Sequence, residues 1–185
     1  MDKNDKSEFA KEFCMIESER FIIVPFEMKY LNHYFNEFNA EITKYQWPDP
    51  FESIEDASST LQEFLNEMDR EETLLFSILS KNNDFLGSVE VHGLTDDCPE
   101  LGIWIIKSEQ NKGYAYEALN AVLDYVRSKY DKSKFYYEAD IRNIGSTKLL
   151  RKFDKKYEII GQGLERLTTD SGKKLELQGY ILRTR

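Results

Sequence analysis

Residues 100–119 read ELGIWIIKSEQNKGYAYEAL, and the change of pattern inside them decides the fold. The first part, 100–106, is rich in β-branched and aromatic side chains and reads as a strand. Further on, Ala115, Ala118, Leu119, Val122, Leu123, Val126 and Tyr130 step by three and four through 113–130, which marks an amphipathic helix. The junction between them is Gln110-Asn111-Lys112-Gly113-Tyr114-Ala115. A glycine there lets another group approach the backbone closely. The free N–H groups and dipole of the helix start then form an anion site suited to a pyrophosphate. No Gly-Lys-Ser/Thr follows, so this is not a P-loop, and no GxGxxG is present for a dinucleotide.

Working outward, residues 85–92 (FLGSVEVH) and 74–80 read as preceding strands, and 20–26 (RFIIVPF) as an earlier one. Met28, Leu31, Tyr34, Phe35 and Phe38 fall at helical spacing. Ser53 followed by Asp56 resembles a capping box that opens a helix through Leu61, Phe64, Leu65 and Met68. Two prolines make 45–51 (YQWPDPF) a loop. Downstream, 135–141 reads as a strand, 146–153 as a short helix, and 157–167 with 175–182 as a closing pair of strands. The order is strand, two helices, three strands, helix, strand, helix, two strands. That predicts an α+β fold: a mostly antiparallel mixed sheet of about six to seven strands with helices on both faces. Residues 1–17 read as an N-terminal arm and 18–185 as a single domain.

Composition excludes several function classes. The 185 residues carry 25 Lys and Arg against 34 Asp and Glu, a net charge of −9 with no basic stripe, which argues against nucleic acid. With 41% hydrophobic and 14% aromatic residues the chain is no disordered segment. No apolar run approaches the roughly 18 residues that span a bilayer, and the start has no apolar segment leading to a cleavage site. Cys14 and Cys98 are too few for a disulfide framework, and His33 and His92 too few for a zinc helix. These features predict a cytoplasmic protein with reduced thiols, no membrane partner and no bound metal.

The segment 100–106, followed by Gln110-x-x-Gly113-x-Ala115-x-Glu117-Ala118-Leu119, resembles motif A of the GNAT N-acetyltransferases, in particular the branch acting on ribosomal proteins (RimJ/RimL-like) and the polyamine branch. Asn143-x-x-Ser146-x-x-Leu149-Leu150 resembles that family's second motif, and the element order matches from Arg20 to Leu182.

The resemblance implies acetyl-CoA as cosubstrate, a splayed central strand pair that admits its pantetheine arm, and direct attack by a primary amine in a ternary complex. Main-chain groups of Gln110, Asn111, Lys112, Gly113, Tyr114 and Ala115 would hold the pyrophosphate, and those of Ile103, Trp104, Ile105 and Ile106 the arm. Asn143 would bond the arm and Ser146 would sit near the sulfur; Lys148 and Arg151 could reach the outer phosphate. Glu100 is the candidate base, with Glu90 and His92 as competitors on the preceding strand. The acceptor wall would include Tyr34, Phe38, Tyr45, Gln46 and Trp47. The acceptor implied is a protein N-terminus, with a polyamine or aminoglycoside-type amine as alternative, and the family often forms homodimers.

The chain departs from the pattern twice. The tyrosine often found seven residues after the motif Asn, a general acid, is Leu150 here, and the usual Gly-Phe turn is Phe153-Asp154-Lys155-Lys156-Tyr157. Releasing a thiolate of pKa near 8.5 at pH 7 costs about 2 kcal/mol, whereas presenting a neutral alkyl amine of pKa near 10.4 costs roughly 4.6 kcal/mol. The base therefore matters more than the acid. The missing tyrosine keeps a non-catalytic acyl-CoA sensor or scaffold as the rival reading.

Overall fold

The computed structural model describes residues 15–185; the rest of the predicted arm, 1–14, lies outside them. Eight strands form one sheet: β1 (Ile16–Glu17), β2 (Phe21–Pro25), β3 (Leu74–Ser80), β4 (Phe85–His92), β5 (Glu100–Ile105), β6 (Lys134–Asp140), β7 (Tyr157–Thr168) and β8 (Lys174–Thr184). Their order is β1-β2-β3-β4-β5-β6-β8-β7, antiparallel throughout except for β5 beside β6. The strand count exceeds the expected six to seven because of β1. Ile16 and Glu17, read from sequence as part of the arm, pair with Ile23 and Ile22. Two residues are too short to show a period of two.

Among the described residues four α-helices cover the sheet: α1 (Leu31–Glu37), α2 (Ile54–Asp69), α3 (Tyr114–Tyr130) and α4 (Ile144–Arg151). The start of the first predicted helix, Met28–Tyr30, is a 3-10 turn. At α2 the Ser53 hydroxyl accepts from the Asp56 N–H at 3.1 Å, while the Asp56 carboxylate reaches back to the Glu52 N–H at 3.2 Å. That is a capping box with its return bond one residue early.

Alternation in the central strands separates two cores. Val89, Val91, Leu101 and Ile105 face α3, whose Ala118, Leu119, Val122, Leu123 and Val126 are buried against them. Leu75, Leu79, Phe85 and Trp104 face the other way, toward Tyr34, Phe38 and Leu61 from the α1–α2 side. A sheet covered on both faces has apolar runs in its middle strands, and β3 (LLFSILS) is one.

Candidate active site

The strand pair that splays is β5 with β6. β5 pairs with β4 over its whole length, from Glu100 opposite His92 to Ile105 opposite Gly87. With β6 it pairs only at Glu100–Tyr136 and Leu101–Tyr137. The Ile106 N–H donates to Leu86 on the β4 side, and the Tyr136 N–H reaches the Pro99 carbonyl on the β6 side. Backbone groups of alternate residues therefore point opposite ways, which turns those of Ile103 and Ile105 into the gap. The Ile105 carbonyl is met there by the Gln110 side-chain amide at 3.1 Å. Gln110 thus braces the turn with its side chain, a role beyond the main-chain one expected. The even residues, Gly102 and Trp104, bond toward β4, so of the four predicted arm-binding positions Ile103 and Ile105 offer backbone to the gap.

Beyond that turn Gly113 caps α3 at φ 85°, a left-handed conformation that favours glycine. The first bond closing the helix runs from the Glu117 N–H to the Gly113 carbonyl. The N–H groups of Tyr114, Ala115 and Tyr116 have no backbone acceptor among the described residues, so three donors converge where the dipole is positive. The Lys112 ammonium is engaged by Glu109 at 2.8 Å, and Asn111 contributes a second left-handed residue at φ 63°. This cradle and the unpaired β5 edge fit the pyrophosphate and the amide-bearing arm of coenzyme A.

Arg20, immediately before β2, holds the cradle from the side. Its Nη1 donates to the Lys112 carbonyl at 2.7 Å, its Nε to Glu117 at 2.6 Å, and its guanidinium lies 4.4 Å from the centre of the Tyr114 ring. Burial works against ionised Glu117, but bonds from Ser18 and Arg20 hold its carboxyl below the usual range. Sequence reasoning missed Arg20: its partner is 97 residues away, and no local pattern links them.

The second motif starts α4. Asn143 caps the helix by accepting from the Ser146 N–H at 3.1 Å, leaving its amide nitrogen to donate elsewhere. The Ser146 hydroxyl lies 2.6 Å from that of Tyr137 on β6. Lys148 and Arg151 are exposed, with no ion pair among the described residues. Asp140 fixes the approach to this motif. Wholly buried, it accepts from the Arg142 backbone and guanidinium and from the Glu176 N–H, all at 2.7–2.9 Å.

On the α1–α2 face the even positions of β4, β5 and β6 bring carboxylates together. His92 stands opposite Glu100, and Glu90 opposite Gly102, where a side chain would crowd it at 3.4 Å. His92 Nε2 lies 3.2 Å from Glu90, and the Tyr34 hydroxyl donates to the same carboxylate at 2.8 Å. Glu138 shares the face and accepts from the Tyr136 hydroxyl at 2.9 Å. Partial loss of hydration, then the charges of Glu138 and Glu90, raise the Glu100 carboxyl above its ordinary range, while His92 pulls it back. For His92 itself burial lowers the pKa, but the Glu90 bond and the surrounding carboxylates outweigh it, and the net direction is up. The sequence reading overlooked Glu138, although its spacing of two from Tyr136 places it on this face.

The predicted acceptor residues separate. Tyr34 is 2% exposed, packs against Trp104 and supports Glu90 from behind, so it is no part of an open wall. A hydrophobic residue at helical spacing reads alike in both roles. Tyr45 is partly exposed under the Arg142 guanidinium, 5.4 Å from its ring centre, and Trp47 is 67% exposed. Lys173, from the β7–β8 turn, ties their loop down through the carbonyls of Thr43 and Gln46 and the carboxylate of Asp49. Among the described residues no group of three or more His, Cys, Asp or Glu is placed to hold a metal, and no helix is long and apolar enough to cross a membrane.

An anion cradle at the end of a splayed strand pair, with carboxylates across the sheet, is an arrangement that suits an acyltransferase drawing its acyl group from a coenzyme A thioester. The GNAT acetyltransferase domain model matches residues 20–155, and the chain belongs to that family, whose cosubstrate is acetyl-CoA. Among solved structures, RimL, a ribosomal L7/L12 alpha-N-protein acetyltransferase in complex with coenzyme A, superposes with a TM-score of 0.79 at 15% identity, over 92% of this chain and 98% of that one. An acetyltransferase from Salmonella typhimurium that modifies the N-terminal serine of 50S ribosomal subunit protein L7/L12 gives 0.75 at 16% identity, over 92% and 99%. Spermidine N-acetyltransferase from Vibrio cholerae, in complex with CoA and spermine, gives 0.74 at 19%, over 90% and 97%. At these identities the likeness is one of fold. No curated protein matches the chain.

Proposed function

We propose that this acetyltransferase moves acetyl from acetyl-CoA to the α-amino group of a protein N-terminus, by direct attack in a ternary complex. The observation that carries the reading is the coincidence of three things at one gap: the helix-start N–H groups, the unpaired edge of β5, and the carboxylates of Glu100, Glu90 and Glu138 on the opposite face. The α3 N–H groups hold the pyrophosphate, Ile103 and Ile105 pair with the arm, Asn143 bonds it, and Ser146 faces the sulfur. Glu100, exposed at the start of β5 beside the apex of the gap, takes the proton from the amine.

Two features favour a protein terminus. An α-amino group of pKa about 7.7–8.0 costs only about 1 kcal/mol to present neutral at pH 7, within reach of a partly hydrated carboxylate. Trp47 at 67% and Ile141 at 48% exposure, on segments joined by the Tyr45–Arg142 contact, give a rim that peptide side chains can cover. The second reading is a polyamine or other small cationic amine, and the acidic trio is what favours it. A cytoplasmic location fits the free thiol of Cys98, and a homodimer is the assembly carried over from the family.

Titration calorimetry with acetyl-CoA, followed by thiol-release assays over peptides with free N-termini, spermidine and aminoglycosides, tests the reading. Turnover with peptides above that with spermidine supports it. The reverse order moves the acceptor to the second reading, and binding without turnover on any amine makes the protein a sensor.

A further inference from the structure

The helix position where related enzymes often carry a tyrosine holds Leu150 here, and Leu150 is 4% exposed, packed in the core. A phenol reaches α4 from another element. Tyr137 is the last residue of β6 paired with β5, so it stands at the apex of the gap, and its hydroxyl lies 2.6 Å from the Ser146 hydroxyl. Its side chain is buried, and among the described residues Ser146 is its one hydrogen-bond partner. Either hydroxyl can donate in this pair; the arrangement with Tyr137 donating and Ser146 accepting is the one that leaves the serine proton unused. The Ser146 backbone N–H is already held by the Asn143 side chain. With the serine oxygen and backbone both held, its hydroxyl proton is free to turn toward the gap.

We propose that Tyr137 is a positioning residue: it orients the Ser146 hydroxyl as a hydrogen-bond donor to the sulfur that departs from acetyl-CoA. This rests on the reading of Ser146 as the group facing the thioester. In the transfer the amine nitrogen forms a bond to the acetyl carbon and the C–S bond breaks. The electron pair leaves on sulfur, and the amine proton passes to Glu100. Tyr137 keeps its own proton throughout. An ordinary thiol, pKa about 8.5, is a stronger acid than a phenol at about 10, and burial pushes Tyr137 higher still. The pair therefore stabilises the thiolate through linked hydrogen bonds, each polarising the next.

The experiment uses the full chain and three variants, Tyr137→Phe, Ser146→Ala and the two combined, with thermal melts to show that all are folded. The first readout is the thiol pKa of bound coenzyme A, followed by thiolate ultraviolet absorbance. The second is binding of desulfo-coenzyme A, and the third kcat and KM for acetyl-CoA. Tyr137→Phe should raise the bound thiol pKa by about one pH unit, a tenfold change in its ionisation. It should lower kcat about tenfold and leave both KM and desulfo-coenzyme A binding unchanged. The double variant should add nothing to Ser146→Ala, as expected for residues acting as one unit. If Ser146→Ala raises the thiol pKa and Tyr137→Phe does not, the inference is overturned while the placement of Ser146 stands. If neither variant moves it, or the wild type fails to bind coenzyme A, the placement falls and the inference with it.

Discussion

His92 and Glu100 stand directly opposite each other across β4 and β5, with Glu138 facing them from β6. The histidine pulls the Glu100 carboxyl down, while lost hydration and two neighbouring carboxylates push it up more strongly. A base works only when deprotonated, so kcat/KM should rise with pH through a midpoint above the ordinary carboxylate value of about 4.3. Glu100→Gln should cost roughly 10²–10⁴ in kcat while coenzyme A binding persists. His92→Gln removes the attraction that favours ionised Glu100 and should move the acid limb to higher pH. A pH–rate profile of the three proteins checks both shifts; wild-type turnover in Glu100→Gln would assign the base elsewhere.

Arg20 neutralises a carboxylate that the cradle cannot tolerate bare. Glu117 sits in the first turn of α3, beside the donors proposed to receive the pyrophosphate, and Arg20 pairs with it at 2.6 Å while pinning the Lys112 carbonyl. Arg20→Ala should raise KM for acetyl-CoA about tenfold, or about 1.4 kcal/mol, with little change in kcat. Acetyl-pantetheine lacks the phosphates, and its kcat/KM should stay as in the wild type. Adding Glu117→Gln should recover part of the lost affinity. With side chains 39% and 25% exposed, the pair itself contributes at most about 1 kcal/mol to stability, so unfolding does not account for such a split.

What the sequence made legible follows from the range of each interaction. The helix α3, the strands flanking it and the Ser53 cap are local patterns, and the structure has each of them within a residue or two. The register of His92 against Glu100 was within reach because a short turn joins their strands. By contrast, Arg20 meets Glu117, and Tyr137 meets Ser146, through tertiary packing that no period announces. Tyr34 was misjudged for a related reason: an aromatic residue repeats every turn whether its face meets solvent or a second core.

Gly113 is open to a direct test because space and backbone strain separate there. A methyl group at this position would meet only the tip of Arg20, at 3.5 Å, so the cost of Gly113→Ala is conformational. A non-glycine residue at φ 85° loses about 1–2 kcal/mol. In a chain of this size that lowers Tm by about 2–8 °C. The α3 N–H groups shift with the turn, so acetyl-CoA affinity should fall more than Tm alone implies; equal affinity in calorimetry would place the pyrophosphate elsewhere.

Asp140 couples the second motif to acid stability. Its two carboxylate oxygens receive four hydrogen bonds, three from Arg142 and one from the Glu176 backbone, and its own carbonyl receives the Asn143 N–H at 2.8 Å. Burial alone would raise its pKa, but these donors outweigh it and hold the carboxyl below its ordinary value. A group whose pKa is depressed by folding adds stability that is fully present above its unfolded value of about 3.9. That stability is lost as pH falls through the lower folded value. Asp140→Asn turns one acceptor oxygen into a donor facing donors, and should cost about 3 kcal/mol at neutral pH, the low end for a broken buried pair because Arg142 is half exposed. The matching fall in Tm is about 6–12 °C. Melts between pH 3 and 7 should show the two proteins converging as the wild type loses its advantage below about pH 4. Parallel curves would mean that the Asp140 carboxylate is not what fixes the turn before Asn143.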